Sequence, residues 1–233
     1  PKENMKKIVV LTGAGMSAES GISTFRDSNG LWENHDIMEV ASPIGWKNNP
    51  ALVLDFYNKR RAQLKEVQPN KGHEILAELE QNFNVQIITQ NVDNLHERAG
   101  SSNILHLHGE LVKVRGEFSE NESIYWETDI HLGDVNENAE QLRPDIVWFG
   151  EQVPAIDLAI PHMQTADVVI IIGTSLQVYP AAGLMHYAKS HVPVYYIDPN
   201  PAIIYDLANP LEVLAMSASE GMEILKEKLQ VQK

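Results

Sequence analysis

Four short apolar runs, each ending in polar or glycine-containing residues, constrain the fold of this chain more than any other feature. They are Ile8–Thr12, Val85–Thr89, Val168–Ile172 and Pro193–Ile197. Rich in β-branched residues and apolar almost throughout, they lack the alternation of half-exposed strands. They read instead as central parallel strands covered on both faces. Helical spacing appears over Ala51–Leu64, His73–Leu79 and Glu220–Leu229. Strand alternating with helix predicts an α/β fold, a parallel sheet with helices on both faces. The polar, acidic stretch Gly116–Gln141 breaks the pattern, as a surface excursion or a lid. No internal repeat or low-complexity tract is present.

In an open parallel sheet, ligands bind beyond the carboxyl ends of the strands. Here those ends carry Gly13-Ala14-Gly15-Met16-Ser17, Gln90-Asn91-Val92-Asp93, Gly173-Thr174-Ser175 and Asp198. Gly13-Ala14-Gly15 suits a tight turn that lets a pyrophosphate approach the backbone, with the following N–H groups and Ser17 on its oxygens. The spacing falls short of a full G-x-G-x-x-G, so a plain turn is the alternative. Asp198 is placed to accept from ribose hydroxyls or to cap a helix. His106 and His108 share a face if their segment is a strand. They could hold a metal, but no third ligand accompanies them. A histidine titrating near neutrality is also a natural general base.

Composition narrows the classes. With 18 Lys+Arg against 32 Asp+Glu, the formal charge is −14, which disfavours nucleic-acid binding. The absence of cysteine excludes a thiol nucleophile and any thiolate metal site. No run approaches the about 20 apolar residues of a membrane span. The segment around Lys6–Leu11 is too short for a secretory signal, so we expect a cytoplasmic protein.

Five segments occur in order: Gly13–Trp32 (GAGMSAESGISTFRDSNGLW), Thr89–Gly100 (TQNVDNLHERAG), Leu107–Leu111 (LHGEL), Pro144–Pro154 (PDIVWFGEQVP) and Gly173–Ser175 (GTS). Together they resemble the sirtuins, NAD-dependent protein-lysine deacylases, over nearly the whole chain except Gly116–Gln141. The resemblance implies one catalytic domain over 1–233. A Rossmann-type part would come from 1–33, 69–115 and 143–233, and a small module from 34–68 and 116–142. NAD, consumed as co-substrate, would lie in the cleft between them.

The same resemblance assigns cofactor contacts to Gly13, Ala14, Gly15, Ser17, Phe25, Arg26, Trp32, Gln90, Asn91, Val92, Asp93, Gly173, Thr174, Ser175, Asp198 and Ala218, the last in a loop near the adenine. Asp198 stands where the family more often has Asn. His108 matches the catalytic base, with Asn91 and Asp93 beside it. The implied reaction releases nicotinamide, after which His108 takes a proton from the ribose hydroxyls. Free lysine and O-acyl-ADP-ribose result. An extended acyl-lysine peptide would pair along Val147–Val153, at Val147, Phe149, Gly150 and Val153.

Ala41, Tyr57 and Arg60 match the acyl pocket of class III sirtuins, which remove succinyl and malonyl groups. Tyr57 and Arg60 are three apart on a predicted helix and so share a face, one hydroxyl and one guanidinium suited to a carboxylate. Most sirtuins hold a structural zinc with four cysteines. Here Gly116 stands where the first would be, and we expect no zinc. Packing of Ile124, Tyr125, Trp126, Ile130 and Leu132 would have to replace it. The expected partners are acylated proteins, with no nucleic acid and no membrane, and a monomer is the default. Mono-ADP-ribosyl transfer and a non-catalytic NAD sensor are the alternatives. A hydride-transfer dehydrogenase leaves Asp93 and Phe25–Arg26 without a role.

Overall fold

The computed structural model describes residues 4–23 and 31–231. Six strands form one parallel sheet: β1 (Lys7–Thr12), β2 (Asn84–Thr89), β3 (Ile104–His106), β4 (Val168–Ile172), β5 (Val194–Ile197) and β6 (Leu211–Leu214). Their order across the sheet is β6-β5-β4-β1-β2-β3. The chain builds outward from β1 to one edge, returns beside β1 at β4, and builds outward to the other edge. This is the Rossmann order, and the reversal opens a crevice beyond the ends of β1 and β4.

The main helices are α1 (Pro50–Gln63), α2 (Lys71–Glu78), α3 (Ile156–Gln164) and α4 (Ala218–Val231). Alternate residues of β1 enter opposite layers. Ile8 and Val10 pack with Ile75 and Leu76 of α2 and with Met222 and Leu225 of α4. Val9 and Leu11 pack with Ala159 and Met163 of α3. Burial on both faces explains why the central strands lack alternation. The helices begin where capping groups permit. The Asn49 side chain accepts from Leu52 N before Pro50, and Asn70 forms a capping box with His73 at the start of α2. Edge strands β3 and β6 lie outside the four apolar runs. β3 has only three residues, and β6 is half exposed, so neither carries a continuous apolar run.

A second sheet is antiparallel, with Gly109–Gly116 between Ile124–Tyr125 and Leu142–Ile146. The expected seams at 115/116 and 142/143 fall within two of its strands. Helix α1 lies on this sheet, with Leu54 against Val114, Ile130 and Leu142. Buried Arg61 ties the two together, donating from Nε to Leu111 O at 2.7 Å.

The expected packing of 116–142 is only partly realised. Ile130 is buried, and Ile124 and Trp126 pack partly against the cluster, but Tyr125 is 62% and Leu132 57% exposed. The strand periodicity that buries Ile124 turns its neighbour Tyr125 outward. Much of the cohesion is polar. Glu122 accepts from Gly116 N at 2.7 Å and from Asn136 Nδ2 at 3.0 Å. Asn136 Oδ1 accepts from Asn138 N and Glu140 N, and Glu140 accepts from Phe118 N and Ser119 Oγ. A side chain at position 116 would collide with Asn136 and Glu140, so glycine lets this clasp close. Asn136→Ala should cost about 1–2 kcal/mol. Native-state amide exchange should show faster exchange at Gly116 and Glu140 while the parallel sheet is unaffected.

Candidate active site

The floor of the crevice is two interlocked turns. Gly13 N donates to Ile172 O at 3.0 Å, and Gly15 N donates to Gly173 O at 2.8 Å. A Cβ on Gly15 would lie 2.7 Å from Gly173 Cα, and one on Gly13 would lie 2.7 Å from Gly173 O. Gly173 itself has φ +65°, the left-handed region. The turns meet backbone to backbone and leave a cavity of about 430 Å³ above them. Every expected site residue among those described lines this cavity: those of all four strand ends, Trp32, Ala218, His108, the acyl residues Ala41, Tyr57 and Arg60, and Val147, Phe149, Gly150 and Val153. Phe25 and Arg26 lie outside the described residues.

At one end the segment after β2 is fixed from below. Asn91 N donates to Thr89 Oγ1, and Asn91 Nδ2 donates to Gly13 O at 2.9 Å, which fixes the amide plane with Oδ1 as its acceptor end. Asp93 is buried. Its carboxylate accepts from Leu95 N at 3.0 Å and from Ser17 Oγ at 2.8 Å. Burial raises its pKa, and those two hydrogen bonds oppose the rise. Ser17 is 1% exposed, and its proton goes to Asp93, so its hydroxyl does not face the phosphate turn as a free donor. Behind it, His73 Nδ1 accepts from Asn70 N, which puts the ring proton on Nε2, 3.4 Å from Ser17 Oγ. Burial lowers the His73 pKa to about 4, keeping that ring neutral.

β3 ends at His106, so the two histidines diverge and do not form a pair of ligands. His108 enters the cavity, while His106 turns to Glu97. His108 Nδ1 lies 3.2 Å from the Gln90 carbonyl oxygen, which only accepts. The neutral ring therefore carries its proton on Nδ1 and presents a basic Nε2. Burial lowers its pKa below 6.5, against the opposing Gln90 hydrogen bond. The result is an imidazole that is neutral and oriented at pH 7.

At the other end, Tyr57 is fully buried and its hydroxyl accepts from Trp148 Nε1 at 3.1 Å. With that lone pair engaged, the phenolic proton remains to be donated. Burial raises the Tyr57 pKa, so the proton stays on. Arg60 stacks over Phe56, its guanidinium carbon 5.0 Å from the ring centre, and its buried Nε has no hydrogen-bond partner among the described residues. The neighbouring Arg61 is the structural arginine. Trp32 stands edge-on to Phe56 and Tyr57 at this end of the cavity.

The segment 147–153 is braced by a feature the sequence did not reveal. Buried Arg143 holds Glu151 with both terminal nitrogens, at 2.9 and 3.0 Å. Its guanidinium carbon lies 3.5 Å from the centre of a Trp148 ring, and Glu151 accepts from Trp148 N. Val147 N donates to His108 O and Phe149 N to Ala41 O, so those amides are already used. Asp198 is buried and accepts from Asn200 N. Ala218 opens α4 and does not sit in a loop.

The family model described as "Sir2 family" matches residues 13–180. An NAD-dependent protein deacylase of Helicobacter pylori (strain ATCC 700392 / 26695) is 59% identical over 225 residues, covering 97% of this chain and 98% of that protein. Another, from Bacteroides thetaiotaomicron, is 56% identical over 231 residues with 97% and 98% covered. Among solved structures, a Sir2 homologue in complex with NAD superposes with a TM-score of 0.85 at 38% identity, covering 98% of this chain and 91% of that one. A mutant Sir2 homologue bound to ADP-ribose gives 0.87 at 38% identity, with 99% and 94% covered. The interlocked glycine turns, the strand order and the matched length agree: this chain belongs to the Sir2 family.

Proposed function

We propose that this protein is an NAD-dependent protein-lysine deacylase that prefers succinyl and malonyl groups and also accepts acetyl. The observation that carries the reading is the pairing, within one cavity, of a base-ready His108 Nε2 and two donors, Tyr57 Oη and Arg60 Nε, that are unspent among the described residues. ADP-ribosyl transfer to a protein needs the first but has no use for the second.

The fit of the cavity to NAD rests on its bare backbone floor. Side chains at positions 13 and 15 would collide with Gly173 and Thr174 and force apart the two turns that form it. Gly13, Ala14, Gly15, Gly173, Thr174 and Ser175 would hold phosphates and the adenine ribose, with Asp198 and Ala218 toward the adenine. Asn91 and Asp93 would receive the nicotinamide ribose and carboxamide. When bound, NAD supplies an electrophilic ribose carbon and a nicotinamide leaving group. His108 Nε2 takes the proton of a ribose hydroxyl, and Nδ1 stays on the Gln90 carbonyl to hold the ring in place. A base so positioned contributes about 10²–10⁴ in rate. Tyr57 and Arg60 donate to the distal carboxylate of the acyl chain, and Ala41 leaves it room. Trp148, held by Arg143, sets the direction of the Tyr57 donor.

Peptides carrying acetyl-, succinyl- or malonyl-lysine test this directly. Removal should require NAD, and His108→Ala should lose at least about a hundredfold in kcat. Arg60→Met should reduce kcat/KM for the two acidic acyls alone, by about tenfold or more. Equal losses on all three acyls would place Arg60 outside acyl recognition, and no turnover despite NAD binding would move the reading to ADP-ribosyl transfer or sensing.

The pH dependence follows from the sign of the His108 shift. The base works when neutral, and its pKa lies below 6.5. Acid inactivation of kcat/KM should therefore set in only as pH falls through that lowered value. A limb centred above 6.5 would assign it to another group.

We further propose that the small module holds without zinc, by the Glu122–Asn136–Glu140 clasp. Prolonged treatment with a strong chelator should leave Tm unchanged. A fall of several degrees, reversed by zinc, would reveal a metal that the clasp does not replace.

A further inference from the structure

We propose that His106 is a positioning residue which, as an imidazolium held by Glu97 and Glu110, pins the Asn91 carbonyl and so fixes the nicotinamide end of the cavity. The inference concerns the same site as the proposed deacylase reading and rests on it for its catalytic consequence, but its physical part stands alone.

His106 is not a lining residue of the cavity, and its side chain is only 8% exposed. Nδ1 lies 2.9 Å from Asn91 O, an atom that can only accept, so Nδ1 carries a proton. Nε2 lies 2.9 Å from Glu97 Oε2 and 3.6 Å from Glu110 Oε1. A neutral ring with its proton on Nδ1 would turn a lone pair toward two carboxylates. The arrangement is satisfied when both nitrogens carry protons. His108 makes the same Nδ1 contact one carbonyl earlier, at Gln90 O, and among the described residues its Nε2 has no carboxylate partner. Two histidines two residues apart thus brace two consecutive peptide groups. One is charged by its neighbours and the other is left neutral to act as a base.

The charged and titratable groups around His106 come from three elements. Glu97 belongs to the short helix Leu95–Arg98. Glu110 and Lys113 lie on the strand Gly109–Gly116, with Lys113 Nζ 2.8 Å from Glu110 Oε2. Asp93 and His96 lie on the loop and helix behind, and each feels the His106 charge. Burial opposes protonation of His106, but the Glu97 hydrogen bond and the two carboxylates outweigh it and raise its pKa above 6.5. With the folded value raised, the clamp's contribution is fully present below about pH 6.5, the unfolded value. It is lost as pH rises through the folded value.

The test uses the full chain with ¹⁵N-labelled histidine, in wild type, Glu97→Gln and Glu110→Gln, with His106→Gln to identify the resonance. Glu97 is exposed, so Glu97→Gln should fold normally. Wild-type His106 should carry protons on both nitrogens at pH 7, with a midpoint above that of free histidine. Glu97→Gln should lower that midpoint by about one unit or more. In the same variant the alkaline limb of kcat/KM for NAD should move down by the same amount, while the acid limb and the acyl preference stay put. His106→Gln should lower kcat/KM for NAD by up to about a hundredfold through misplacement of Asn91 and Asp93.

A neutral His106 at pH 7, or an alkaline limb that ignores Glu97→Gln, overturns the proposal. So does tight zinc binding that is lost in His106→Gln, since Glu97, His106 and Glu110 could all reach one ion and a ligated Nε2 carries no proton. If the wild type turns over no acyl peptide at any pH, the deacylase reading fails, and the titration alone decides the clamp.

Discussion

The contact between two backbone turns at the centre of the sheet sets the geometry of everything above it. Gly13–Gly15 after β1 and Gly173 after β4 touch without side chains between them, joined by Gly15 N to Gly173 O. Because β1 and β4 are adjacent and in register, Thr12 beside Ile172, the turns emerge at one level. The Asn91 side chain is then tied to Gly13 O, and Gln90 Nε2 reaches Thr174 Oγ1. Three strand ends are thereby locked into one rigid floor. A methyl group at position 15 would separate them and displace donors that belong to other parts of the chain.

Much of this was legible in the sequence because it depends on local pattern. β1, β2, β4 and β5 are buried on both faces, and continuous apolar runs record that directly. The motifs at their ends record the site. The parts that could not be read depend on contacts between distant segments. Ser17 looks like a phosphate ligand by position, but its hydroxyl goes to Asp93, 76 residues away. Arg143 and Glu151 look like ordinary charges until the turn after Ile146 folds Trp148 against them. Tyr125 and Leu132 look like core by residue type, but strand phase and loop position turn them to solvent. Composition cannot resolve such cases, because whether a side chain is inside depends on what the rest of the chain places opposite it.

The small module illustrates how a fold can be closed by hydrogen bonds where apolar residues are few. Its cluster of Leu54, Val114, Ile130 and Leu142 is small, and the segment 116–142 is mostly polar. Carboxylates and amides close it by accepting from backbone N–H groups of its turns. Each such bond adds only about 1 kcal/mol, so the order of the segment rests on several acting together.

The direction of one hydrogen bond gives the deep end of the cavity a polarity of its own. Because the Tyr57 oxygen already accepts from Trp148, Tyr57 retains its O–H, and Arg60 its N–H groups, as donors there. If the proposed acyl chain enters there, an ammonium end would set hydrogen against hydrogen, while a carboxylate would meet both donors with oxygen. On the proposed acyl reading, the site would sort acyl ends by the protons they carry as well as by charge. It is the orientation of a single indole that leaves the Tyr57 proton for such an acceptor.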